Sequence, residues 1–260
     1  MGLSIRLPLS NLVWFPWGNV RITVDKYIET TLTTKNSILT TPNDIETVFR
    51  DSHTHLKANS NDSGHYMYQL LGVCLGLISG QEWRLLRKAT EAPFTRTATT
   101  SYVDGVLNHA NQHIPSLCAS KPEKWHLRPQ ADLRVYPFLA LADILYGTLS
   151  PNLKARLLTI IPGRDSVFAH MMMGGVTRYA WAKYLPLQAN REMRSFKQAW
   201  ARWNDDAHSG ALVKATEKRQ RPVPIIAMYA AVSNGSISRE ALLQTLDECS
   251  SPISTCPSPH

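Results

Sequence analysis

The sequence lacks the features that would mark a disulfide scaffold, a zinc site or a membrane span. Its 260 residues hold four cysteines, Cys74, Cys118, Cys249 and Cys256. None forms a C-x-x-C pair or falls at a metal-ligand spacing with the nine histidines, which excludes a disulfide framework and a structural zinc. Reduced thiols in a protein facing the cytosol fit this usage. No apolar run reaches the roughly 20 residues that a spanning helix needs. Leu7 to Trp17 is broken by Pro8 and Pro16, and Met67 to Ile78 contains Gly72 and Gly76. Arg6 precedes the first run, but no small-residue cleavage site follows, so secretion is not expected.

A hydrophobic fraction of 43% over this length is enough for one sizeable core or two small domains. The net charge of +8 permits an anionic partner, such as nucleic acid or an acidic membrane surface. However, the basic residues are spread along the chain. The one dense run is Arg191, Arg194, Lys197, Arg202, Lys214, Lys218, Arg219 and Arg221, and no nucleic-acid motif accompanies it. A solvated helix face explains the run, and nucleic acid is not an expected partner.

From Tyr27 the chain becomes regular. Ile28 to Thr34 and Ser37 to Thr40 are rich in Thr and Ile around Lys35-Asn36, which predicts a small β-hairpin. Thr41 as N-cap, Pro42 and Asp44 then open a helix with Ile45, Val48 and Phe49 on one face. Residues 51 to 66 are polar and rich in turn formers. They predict a surface loop in which His53, His55 and His65 are solvated. Further on, helices are predicted over Tyr102 to His113 and Ala131 to Tyr146, with Pro137 arguing for a kink or a late start in the second. Ser116 to Gln130 reads as a connection. Leu153 to Ile161 and Asp165 to Met173 read as two shorter helices around Pro162-Gly163, and Met171 to Met173 is adaptable apolar surface. Ala189 to Gln220 is the strongest helix, because Met193, Phe196, Trp200, Trp203 and Ala207 repeat at helical spacing opposite the basic face. Ser238 caps a last helix through Glu248, after which CSSPISTCPSPH cannot continue it.

The stretch Leu77 to Phe94 carries the candidate site. Ser79 and Glu82 have the spacing of a capping box, so a helix is expected from Gly80 until Pro93 stops it. Trp83 and Arg87 share one face, while Leu86 with Ala89 or Thr90 forms an apolar stripe that anchors the helix. A guanidinium fork matches a carboxylate bidentately, and an indole adds a flat surface, so the pair suits a flat anionic ligand. Taken alone, W-x-x-x-R reads more often as a core tryptophan beside a surface arginine than as a ligand site.

The run QLLGVCLGLISGQEWRLLRKATEAPFT resembles the C-helix region of cytochromes P450. Other stretches fall in the same family's order. TTPNDIETVFRDS looks like its strand and B helix, and DLRVYPFLALADILYGTLS like the E helix of fungal secondary-metabolite members. MMMGGVTRYAWAKYLP, FKQAWARWND and ALLQTLDE look like F, G and early I elements. The resemblance covers about residues 27 to 248. It implies that Trp83 and Arg87 bind a haem propionate, and that the reaction class is haem-dependent monooxygenation of a small apolar or heterocyclic metabolite with electrons from a reductase.

Two of the family's motifs are missing. No stretch fits the F-x-x-G-x-R-x-C-x-G loop that supplies the haem thiolate, and no E-x-x-R occurs. The expectation is therefore a mainly α chain with a small β-hairpin, an incomplete P450-like fold truncated at the start of the I helix. Residues 1–26 form an irregular beginning without a clear membrane anchor, 27–248 the P450-like N-terminal half, and 249–260 a disordered Pro/Ser tail. Haem is the implied cofactor, but no catalytic or metal-ligating residue is assigned, and this chain alone is not expected to hold haem stably or to catalyse. The other reading is a non-catalytic interaction module or one half of a split monooxygenase. Its partner would be a C-terminal half, another P450 or a membrane surface touched peripherally. The expected location is the cytoplasm or the surface of the endoplasmic reticulum.

Overall fold

The structure is a computed structural model that describes residues 13–14, 21–22, 27–30, 35–38, 41–50, 64–119, 126, 132–133, 135–218 and 223–250. The chain divides into two compact units, Met1–Leu56 and Lys57–His260.

In the first unit, β1 (Val13–Trp14) pairs antiparallel with β2 (Arg21–Ile22), and β3 (Tyr27–Thr30) with β4 (Lys35–Ile38). The predicted hairpin is not the one found. Lys35 and Asn36 lie inside β4, opposite Thr30 and Glu29, where the sequence placed the turn. The Thr-rich stretch carries no Asn-Gly or Asp-Gly signal to fix the register, so composition alone could not choose it. Helix α1 (Pro42–Arg50) opens as expected, with the Asp44 amide donating to Thr41 Oγ1 at 3.2 Å.

The second unit is helical. It contains α2 (His65–Leu71), α3 (Gly80–Thr90), α4 (Arg96–Ser101), α5 (Val103–Ala119), α6 (Val135–Tyr146) and α7 (Pro151–Met173). Helices α8 (Gln188–Lys218), α9 (Pro224–Ser233) and α10 (Arg239–Ser250) follow. Its centre is α8, where Met193, Phe196, Trp200, Trp203 and Ala207 are all buried. The two indole N–H groups still need acceptors when buried. Trp200 donates to the Leu243 carbonyl and Trp203 to the Leu153 carbonyl, each at 2.9 Å, so the stripe ties α8 to α10 and to α7.

Several boundaries depart from expectation, each for a physical reason. Helix α7 runs unbroken through Pro162-Gly163, where two helices were expected. Pro162 is exposed, and Leu157, Arg164, Val167 and Met171 keep one buried face on both sides of it, so packing on α8 overrides the local break. Helix α5 continues to Ala119 with Pro115 inside, taking in the start of the expected connection. Helix α6 begins at Val135, which puts Pro137 in the first turn, where a missing N–H removes no helical bond. Helix α9 has no counterpart in the sequence reading, because its run PIIAMYAAVS is apolar on every side and shows no clear period. Helix α10 opens on the expected cap, with the Ala241 amide on Ser238 Oγ at 3.1 Å. It ends at Ser250, two residues beyond Glu248. The expected tail after it lies outside the described residues. So do His53 and His55, whereas His65 opens α2, half-buried and bonded to Gln69 at 2.7 Å rather than solvated in a loop. Among the described residues, no helix is long and apolar enough to cross a membrane.

Candidate functional site

Helix α3 starts and stops within a few residues of the sequence reading. Ser79 stands at the N-cap in extended conformation, but its side chain makes no cap hydrogen bond, so the expected capping box does not form. Thr90 closes the helix by donating its hydroxyl to the Leu86 carbonyl at 2.8 Å, and a 3-10 turn, Ala92–Phe94, follows around buried Pro93. Leu86 and Thr90 are nearly fully buried and hold α3 to the core. Trp83 is half-buried and packs on that core from the adjoining face.

Arg87 lies across Trp83, its guanidinium carbon 4.9 Å from the ring centroid. Its side chain is 53% exposed, and its Nε donates to Glu91 Oε2 at 3.1 Å. The indole supports the flat guanidinium, and Glu91 takes only the edge at Nε, so the fork is held ready for an acceptor from solvent. The structure thus brings the two candidate residues together on one face. Neither lines the clefts found elsewhere. One cleft of about 410 Å³ is bordered by Tyr68, Arg194, Lys197 and Glu240. Another of about 360 Å³ is bordered by Leu70, Phe196, Trp200 and Leu243.

An iron ligand is a different matter. Among the described residues, no group of three or more His, Cys, Asp or Glu could hold a metal ion. Cys74 is 1% exposed. Burial and the neighbouring Glu248 push its thiol up to about 12, so it is held as a neutral thiol. Burial likewise pushes Cys249 up to about 11. A haem thiolate must be deprotonated, and these two sites oppose that form. Cys118 is exposed on α5, and Cys256 lies outside the described residues. Among the described residues, Arg87 beside Trp83 offers a donor to a carboxylate, and neither Cys74 nor Cys249 offers a thiolate.

The sequence reading did not find what holds the loop before α3. Val73 N–H donates to Gln244 Oε1 at 2.8 Å, Leu75 N–H to Thr245 Oγ1 at 3.2 Å, and Gly76 N–H to Glu248 Oε2 at 3.0 Å. Three backbone donors in one short loop thus find three acceptors on one face of α10. The signal was Gln, Thr and Glu at i, i+1 and i+4, which looks like an ordinary polar face. Nor did it find the buried pair of Arg164 on α7 and Asp247 on α10, 2.9 Å apart. Burial raises the Asp247 carboxyl, and the Arg164 charge opposes that rise.

No protein-family model matches the chain. Individual relatives do. It is 38% identical over 214 residues to a cytochrome P450 monooxygenase, aclC, of Aspergillus oryzae, a match that takes in 81% of this chain and 43% of the relative. It is 34% identical over 219 residues to gliC of Aspergillus fumigatus, covering 81% of this chain and 42% of the relative. It is 32% identical over 216 residues to asaD of Aspergillus flavus, covering 83% of this chain and 41% of the relative. Both of these are also cytochrome P450 monooxygenases. Over about four-fifths of its length the chain is similar to part of a fungal cytochrome P450 monooxygenase, and it spans less than half of those relatives' length.

Proposed function

We propose, from that similarity, that the chain is the propionate-side portion of a haem monooxygenase of secondary metabolism, and that the 260-residue polypeptide does not activate oxygen by itself. The observation that carries this is the Trp83–Arg87 pair, stacked at 4.9 Å on a helix fixed to the core by Leu86 and Thr90. A bound haem would supply oxygen activation, which requires a thiolate on its iron. What this chain contributes is narrower. Arg87 donates to a carboxylate at the ligand's edge, Trp83 gives that edge a flat apolar support, and Glu91 keeps the fork oriented until the anion arrives. A reductase as electron donor, the surface of the endoplasmic reticulum as location, and a small apolar or heterocyclic metabolite as substrate belong to the same proposal.

Titrating haem into the purified chain and into Arg87→Ala tests the assignment. The variant should bind about tenfold to a hundredfold more weakly, the worth of one charge-assisted hydrogen bond. Equal affinity would remove Arg87 from the site.

A second reading, a non-catalytic interaction module, is favoured by apolar faces left in water. Val103, Leu107 and Ile114 on α5 are more than half exposed, as are Met173 (74%) at the end of α7 and Tyr184 (80%) beyond it. Patches of this kind mark a partner surface or an aggregation hazard. A C-terminal half encoded beside this chain, carrying E-x-x-R and the cysteine loop, would join the two readings. Sequencing the transcript across the codons for Glu248 and Cys249 tests for it. A transcript that runs on into those motifs supports the split or longer enzyme, and one that stops at His260 supports the module.

A further inference from the structure

We propose that Glu248, together with Gln244 and Thr245, is the positioning device for the Trp83–Arg87 pair: the end of α10 clasps the backbone of residues 73–76 and so sets the direction in which α3 leaves its loop. The proposal rests on reading that pair as an anion site and adds three residues remote from the ligand. Gln244 and Thr245 are themselves held. Gln244 is buried and donates its amide to the Gln69 carbonyl at 3.3 Å and to Glu240 Oε1 at 3.2 Å, which orients its oxygen toward Val73. Thr245 is buried and spends its proton on the Ala241 carbonyl at 2.8 Å, leaving its oxygen to accept from Leu75. Glu248 receives the Gly76 N–H at 3.0 Å, and its carboxylate lies beside the Cys74 thiol. The loop therefore cannot shift without breaking bonds to the same turn of α10.

Gly76 explains itself in this arrangement. Its φ lies outside the left-handed region, so no backbone constraint asks for glycine. A Cβ there would collide with Glu248 Oε1, and the three heavy atoms nearest to it all belong to the Glu248 carboxyl. Glycine at 76 is a matter of space for the clasp.

The test uses the full chain with free-base protoporphyrin IX, which offers two carboxylates, and its dimethyl ester, which offers none. Binding is followed by porphyrin fluorescence, and hydrogen exchange is measured at the amides of Leu75 and Gly76. Glu248→Ala and Gly76→Ala should each weaken the diacid by about threefold to tenfold, leave the ester unchanged, and speed exchange at Gly76. Glu248→Gln, which keeps an acceptor oxygen, should restore most of the affinity. The double variant should bind no more weakly than Glu248→Ala, because both changes break one contact. Equal losses for diacid and ester would mean general loosening and would overturn the proposal. So would wild-type affinity in Glu248→Ala with faster exchange at Gly76. If Arg87→Ala binds the diacid as well as wild type, the anion-site reading itself falls, and the positioning role falls with it. If Arg87→Ala loses affinity and Glu248→Ala does not, only the positioning role is overturned.

Discussion

At the scale of single residues, Trp83 and Arg87 differ in what they owe to the fold. Trp83 is half-buried on the core, so Trp83→Ala should cost about 2 kcal/mol, somewhat below the range for a fully buried aromatic. Arg87 makes one exposed i, i+4 pair with Glu91 and one contact with the indole, so Arg87→Ala should cost no more than about 0.5 kcal/mol. Urea denaturation of both variants checks the ordering, and a larger loss for Arg87→Ala would contradict it. The cysteines give a second prediction. Cys118 is exposed, whereas the thiols of Cys74 and Cys249 are pushed up to about 12 and about 11. Only the thiolate is alkylated, so among the described cysteines iodoacetamide at mildly alkaline pH should label Cys118 first and leave Cys74 unlabelled until the chain unfolds. Peptide mass spectrometry reads the order directly. Early labelling of Cys74 would show that the loop before α3 opens freely.

Whole elements were legible in the sequence where period and caps agreed. The stripe from Met193 to Ala207 named the central helix because a regular apolar spacing has one reading, and Ser238 named the start of α10 because its hydroxyl does cap. Trp83 and Arg87 were legible as neighbours from their spacing alone. Elements held by distant partners were not. Pro162 looks like a break until the buried residues on both sides of it are seen against α8, and α9 shows no face because it is apolar throughout. The clasp on residues 73–76 was invisible, since nothing local says that Glu248 will meet Gly76 across 172 residues. The joint between α7 and α8 carries a pH prediction of the same long-range kind. Glu192 on α8 accepts from Ser166 and from His170 on α7, and from Gln188 within its own helix at 2.6 Å. The Ser166 hydrogen bond, aided by Gln188 and His170 and opposed by partial burial, holds the Glu192 carboxyl below the usual carboxylate range. A depressed folded-state value contributes stability that is present above the unfolded value and lost as pH falls through the folded one. Thermal melts should therefore show stability declining on acidification through the carboxylate range, with a shallower decline in Glu192→Gln. Parallel curves would remove Glu192 as a source of that loss.

For the molecule as a whole, the helical core carries the Trp83–Arg87 pair, proposed above as one edge of a haem site, and leaves apolar side chains exposed on α5, at the end of α7 and beyond it. The similarity to fungal P450 monooxygenases covers about four-fifths of this chain and less than half of those relatives. Of the described cysteines, Cys74 and Cys249 are held as neutral thiols by burial. Haem titrated into the purified chain, then reduced and exposed to carbon monoxide, tests this most directly. The account predicts a spectrum without the red-shifted Soret band that gives the P450 family its name, in wild type and in Arg87→Ala alike. Appearance of that band would show that a cysteine of this chain ligates the iron, and would contradict the claim that the polypeptide by itself does not activate oxygen.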